Sequence, residues 1–272
     1  MSVDEIKQLA AQIRIKSLGM VHRAKASHIG SALSIADILA VLYGRVLIFD
    51  SENPEAPHRD RFILSKGHAC VALYAALSEV GFIDKSDLDT YGEDYSKLMN
   101  HVSHAVPGVE FSTGSLGHGL PFAVGKAKTA KMKNENWNTF VLLSDGEVAE
   151  GSNWEALLFA AHHNLDNLMI IVDYNKIQSM TTVKETLNIE PLGDKFAAFG
   201  CETVELDGHN LLEMTDQIEN LKNKTNGKPK VVIAHTTKGK GVSFMENKVE
   251  WHYKSPNDDE YKTALREIFD AQ

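Results

Sequence analysis

Thr139-Phe140-Val141-Leu142-Leu143-Ser144-Asp145-Gly146 is the stretch on which the fold turns. Residues 139–143 are almost wholly apolar and too few for a helix, so they read as a strand buried on both faces, as in a parallel sheet. A second such run, 168–172, follows a segment, 150–163, that reads as a helix. Downstream, 202–206 is a weaker strand, Leu211–Lys222 a helix and 230–234 a further strand. Upstream, residues 3–25 carry Ile6, Leu9, Ile13 and Leu18 near helical spacing. A second helical stretch, from about Leu33 to Leu47, puts Ile35, Ile38, Leu39 and Leu42 on one face. Arg61–Leu64 reads as a short strand and 67–80 as another helix. This alternation predicts an α/β fold, a mostly parallel sheet with helices on both faces. No interior linker interrupts it, so one domain is expected over residues 1–272. The tail beyond about Val249 is polar and acidic, and loose packing is expected there.

Composition narrows the function. The chain of 272 residues is 43% hydrophobic and 24% charged, the balance of an ordinary folded domain. Its net charge of −9 argues against nucleic acid as the main partner. The two cysteines, Cys70 and Cys201, form no paired motif and read as buried, reduced thiols. Residues 1–11 carry no secretory signal, and no run of about 18 apolar residues exists to span a membrane. A cytoplasmic location is expected.

Asp145 and Asn175 are the first candidates for chemistry. Each sits just past a predicted strand, and if those strands are neighbours both side chains emerge at the carboxyl edge of the sheet, where open α/β sheets bind ligands. Gly146 is expected to allow a sharp turn there. A carboxylate and an amide oxygen are hard ligands suited to Mg²⁺ or Ca²⁺, which is often shared with phosphate groups. A backbone carbonyl near Ile177 and two diphosphate oxygens would nearly complete the shell. Either residue alone also reads as a plain turn residue.

Five ordered motifs carry a resemblance. Ser144-Asp145-Gly146 with Glu150-Gly151 and Asp173-Tyr174-Asn175-Lys176-Ile177 resembles the thiamine diphosphate signature in its transketolase form, with Ser144 where the first Gly is usual. Ser27-His28-Ile29-Gly30 resembles the first histidine loop of transketolases, and Asp60 through His68 the second. Pro107 through Gly117 is similar to their loop beside the cofactor rings. Thr236-Thr237-Lys238-Gly239-Lys240-Gly241 with Trp251-His252 is similar to the end of their cofactor-binding domain. The resemblance covers nearly the whole chain.

The resemblance implies roles. Asp145, Asn175 and the Ile177 carbonyl would hold the metal, with Ser144 and Gly146 against the cofactor. His68 and His252 would sit near the diphosphate and the reacting carbon. His28 and His101 would contact the sugar's hydroxyls and assist proton transfers. Gly114 and Leu116 would pack against the cofactor rings, and Glu150 would join a carboxylate network where two subunits meet. His118 stands where Gln is common in the family. His104, His162, His163 and His209 read as surface or structural residues. Imidazole suits such a site because it can donate and accept protons near neutral pH.

The resemblance also implies a partner. Transketolases carry a pyrimidine-binding domain and usually a third domain, neither of which fits in this length. The expectation is therefore the N-terminal subunit of a split transketolase. It would use thiamine diphosphate and Mg²⁺ and act on sugar phosphates, in a hetero-oligomer of two copies of each chain. Two alternatives are a component of a different thiamine diphosphate enzyme, such as a 2-oxo-acid decarboxylase or dehydrogenase or a deoxyxylulose-phosphate synthase, and a non-catalytic homologue.

Overall fold

A computed structural model describes residues 1–271. In chain order its elements are α1 (Val3–Ala24), α2 (Ile29–Ser34), α3 (Ala36–Val41), β1 (Arg61–Leu64), α4 (Cys70–Glu79) and α5 (Gly119–Lys133). There follow β2 (Thr139–Ser144), α6 (Gly151–His162), β3 (Leu168–Tyr174), the short α7 (Val183–Thr186) and α8 (Leu192–Ala198). The chain ends with β4 (Glu202–Asp207), α9 (Leu211–Lys222), β5 (Lys230–His235) and α10 (Asp258–Asp270).

The five strands form one parallel sheet in the order β1-β2-β3-β5-β4. Every residue of β2 and β3 is buried. Alternation across the sheet explains the unbroken apolar runs. Phe140, Leu142, Met169 and Ile171 join the layer built by α1, α3, α4, α9 and α10. Val141, Leu143, Ile170 and Val172 join the layer of α5, α6 and α8. Both faces are covered, so neither set of alternating positions is polar. The neighbours β2 and β3 are joined through α6, with Ser144 opposite Asp173. Among the described residues no helix is long and apolar enough to cross a membrane.

Three expectations need correction. The stretch read as one helix from 33 to 47 starts earlier, at Ile29, and is broken at Ile35. The hydroxyl of Ser34 donates to the Ser31 carbonyl at 3.0 Å and also reaches Asp173 at 2.7 Å, competing with the helical ladder. The segment then closes with a wide turn, Leu47 N–H to the Leu42 carbonyl. The tail is not loose: α10 buries Ala264 and Ile268 against α1, behind a capping box of Asn257 and Glu260. Gly146 does not need a glycine conformation, for its φ is −64°; the room it leaves is for Gln178, whose Cδ would lie 3.2 Å from an added Cβ.

Candidate functional site

Loops at the carboxyl ends of β1, β2, β3 and β5 meet over a cleft of about 450 Å³. The candidates from all five motifs line it: His28, His68, His101 and His252, Gly114 and Leu116, Ser144, Asp145, Gly146 and Glu150, and Asn175 with Ile177. His118 is exposed at the start of α5 and lies outside the cleft.

The floor is charged and nearly dry. Lys66, just past β1, and Asp173, near the end of β3, are both fully buried and pair at 2.5 Å. Asp173 also accepts from Ser34, Thr236 and the Asn175 amide, the last at 3.0 Å. Burial alone would raise its carboxyl; the Lys66 ammonium and these donors hold it below the usual range. Because the Asn175 NH₂ is committed to Asp173, its oxygen is turned the other way, where it accepts from the Ile177 N–H at 3.1 Å and keeps a second lone pair.

Asp145 is buried at 2% exposure and has no ion-pair partner among the described residues. Its oxygens accept from the Lys176 and Gly146 backbone N–H groups, at 2.6 and 2.7 Å. Burial first, and the nearby Asp173 charge second, push its carboxyl up to about 7. The site therefore fits a cation. Among the described residues no three His, Cys, Asp or Glu side chains cluster to hold a metal by themselves, so the donor set is carboxylate, amide and carbonyl oxygens plus ligand.

Lys238 falls in the last motif, but the sequence assigns it no role. Its Nζ is buried and donates to the Ile177 and Gln178 carbonyls at 3.0 and 2.9 Å, and lies 3.0 Å from His252 Nδ1. An ammonium only donates, so Nδ1 accepts and the His252 ring hydrogen sits on Nε2. Burial, and then the neighbouring Lys66, lower Lys238 to about 8.

The wall is a cluster of imidazoles with His28 at its centre. Ring centroids of His68, His252 and His101 lie 5.2, 5.0 and 6.0 Å from it. His28 is held in the left-handed region, φ 73°, by its backbone N–H, which donates to the His252 carbonyl at 2.7 Å. A non-glycine residue there is strained, as functional residues often are. Burial is the main cause that lowers His28 to about 4 and His252 to about 3, and it holds His68 well below its ordinary value. Charge from Lys238 and Lys66 adds to each. Neutral imidazoles can both donate to and accept from hydroxyl groups.

Glu147, another residue to which the sequence gives no role, ties the loops together. Fully buried, it accepts from Ser65 Oγ and from the Gly117 N–H at 2.9 Å, and burial raises its carboxyl. Gly117, at φ 81°, packs where an added Cβ would strike Ser152 and Glu150. Glu150 itself is exposed at the rim, and its carboxylate has no partner among the described residues. For Lys66 and Asp173 the one available signal was their place inside two of the motifs, each beside a residue already marked for chemistry.

Comparisons with known proteins agree in kind. A family model described as "Transketolase, thiamine diphosphate binding domain" matches residues 5–270. One of the two subunits of the apulose-4-phosphate transketolase of Actinobacillus succinogenes is 46% identical over 272 residues, covering 99% of this chain and 98% of that protein. Its namesake from Phocaeicola vulgatus is 41% identical, covering 98% and 95%. The crystal structure of a transketolase from Campylobacter jejuni superposes with a TM-score of 0.94 at 32% identity, covering 99% of this chain and 43% of that one.

Proposed function

This chain belongs to the transketolase family, and from that premise we propose that it is the N-terminal subunit of a two-chain transketolase dependent on thiamine diphosphate and Mg²⁺. With its partner it moves a two-carbon ketol unit from a ketose phosphate to an aldose phosphate. The observation that carries this reading is one of length: the chain matches 98% of a protein named as one subunit of a transketolase but 43% of a single-chain transketolase. The partner subunit supplies the pyrimidine-binding half, and two copies of each chain assemble in the cytoplasm. Apulose 4-phosphate is the first donor to try, because two relatives are named for it.

Thiamine diphosphate, when bound, supplies the nucleophilic carbon and the electron sink for breaking a bond beside a ketone. The chain's own residues do the rest. Asp145, the Asn175 oxygen and the Ile177 carbonyl would hold the cation, and Lys238 would offset charge on the diphosphate. His68 and His252 would line the reacting carbon, with His252 presenting an N–H. His28 and His101 would bind the sugar hydroxyls and carry protons between them. Gly114 and Leu116 would face the cofactor rings, and Glu150 would meet the second chain.

The test is an assay of the chain alone and with its partner, using apulose 4-phosphate or xylulose 5-phosphate as donor and ribose 5-phosphate as acceptor. Ketol transfer only by the pair is expected. Robust turnover by the chain alone overturns the split-enzyme reading, and no transfer by the pair overturns the activity.

A further inference from the structure

We infer that Tyr253 contacts the sugar beyond its two reacting carbons and so sets which ketose phosphates the cleft accepts, an inference that rests on the function proposed above. A lone exposed aromatic needs no explanation. Tyr253 is not lone: its ring centroid lies 4.7 Å from that of His252 and 6.2 Å from that of His28, so it carries the imidazole wall outward. Its backbone is fixed. Ser27 Oγ donates to its carbonyl at 3.2 Å, and its own N–H donates to the Glu250 carbonyl at 3.2 Å. The side chain is nevertheless 61% exposed. Its hydroxyl has no hydrogen bond among the described residues.

Burial in the cleft is graded. Asp145, Lys66 and Lys238 form a floor exposed by 2% or less, His28, His68 and His252 are half-buried above it, and Tyr253 stands at the rim. A ketose whose carbonyl end reaches the reacting centre must direct its remaining carbons and phosphate toward that rim. An aromatic face covers the C–H side of a sugar while its hydroxyl reaches a sugar oxygen, so one ring offers both kinds of contact at little entropic cost. Contacts of this kind distinguish donors that share the ketol end and differ in the tail.

The test compares donors in the reconstituted two-chain enzyme, using kcat/KM for the donor, which reports the first half-reaction whatever the acceptor. Xylulose 5-phosphate, fructose 6-phosphate and apulose 4-phosphate carry different tails, and hydroxypyruvate carries only a carboxylate beyond the ketol unit. Tyr253→Ala is expected to lower kcat/KM for the preferred sugar phosphates about tenfold and to compress the differences among them. Hydroxypyruvate should change by less than about twofold, and Tyr253→Phe should fall between. Calorimetric affinity for thiamine diphosphate with Mg²⁺ should be unaltered in both variants. An equal loss with hydroxypyruvate overturns the inference, because Tyr253 would then act through the histidines. So does an unchanged donor profile, or an effect confined to pairing of the two chains. In these cases the wild-type pair still turns over, whereas an inactive wild-type pair removes the proposed function itself.

Discussion

Asp37 and Asp145 are both buried aspartates, exposed by 6% and 2%, yet their surroundings drive them in opposite directions. Asp37, on α3, meets Arg14 of α1 through two bonds, at 3.0 and 2.6 Å, and His209 Nδ1 at 2.6 Å. His209 Nε2 in turn accepts from the Thr237 N–H at 2.8 Å, so the ring donates to Asp37. Burial opposes the charge on Asp37, but the guanidinium and these bonds win and hold it at about 2. Asp145 has two backbone donors and no cation, and rises to about 7. A closed ion pair ties helices together; an open one is a place for a cation that the chain does not supply. Burial alone does not mark a ligand site; the missing counter-charge does.

The largest effect expected from this contrast is on stability at the closed pair. Arg14→Met should lower the unfolding free energy by about 3–5 kcal/mol, the usual loss when one member of a buried pair is removed. His209 offers no substitute, because its second nitrogen is already an acceptor. Denaturant titration measures this, and a loss under about 1 kcal/mol would mean that the pair adds little.

Asp145→Asn should act the other way. Its folded carboxyl lies above its unfolded value, so the folded state holds an extra proton between about pH 4 and 7, and stability falls as pH rises through that window. Removing the charge should stabilise the cofactor-free chain at pH 8 by about 1–2 kcal/mol, after one backbone bond is weakened, with no gain below pH 4. Thermal melts at pH 4 and 8 separate the two. A destabilised variant at pH 8 would show that the charge is already compensated.

The smallest effect concerns the bases. His28 and His252 are depressed in the folded chain to about 4 and 3, mainly by burial. The unfolded chain gains these protons below about pH 6.5 while the folded chain resists, so stability present at pH 7 is lost as pH falls toward 4. The double variant His28→Gln, His252→Gln should lose about 1 kcal/mol less between pH 6 and 5 than the wild type. Equal slopes would show that these rings titrate normally.

Much of this was legible in the sequence because the two strongest signals are local. β2 and β3 are runs that only a doubly covered sheet accommodates, and the residues that end them fall at its carboxyl edge by chain geometry. The motif histidines were legible for the same reason. The kink at Ile35 was not, since Ser34 answers to Asp173, 139 residues away. Helix α10 was hidden by its polar composition, although the Asn257 and Glu260 spacing announced its start. Helix α5 was missed because glycine, proline and lysines interrupt its apolar positions. Lys66, Lys238 and Glu147 stand inside or beside the motifs, but their roles depend on partners brought together by three or more strand ends.

Asp145 anchors a cation which Asp37, equally buried, cannot. Calorimetric titration of thiamine diphosphate with Mg²⁺ into the reconstituted two-chain enzyme tests this directly. Asp145→Asn should weaken binding by at least about a hundredfold, while Asp37→Asn leaves the affinity of the folded protein near wild type. Wild-type affinity in Asp145→Asn, or equal losses in both variants, would contradict the account.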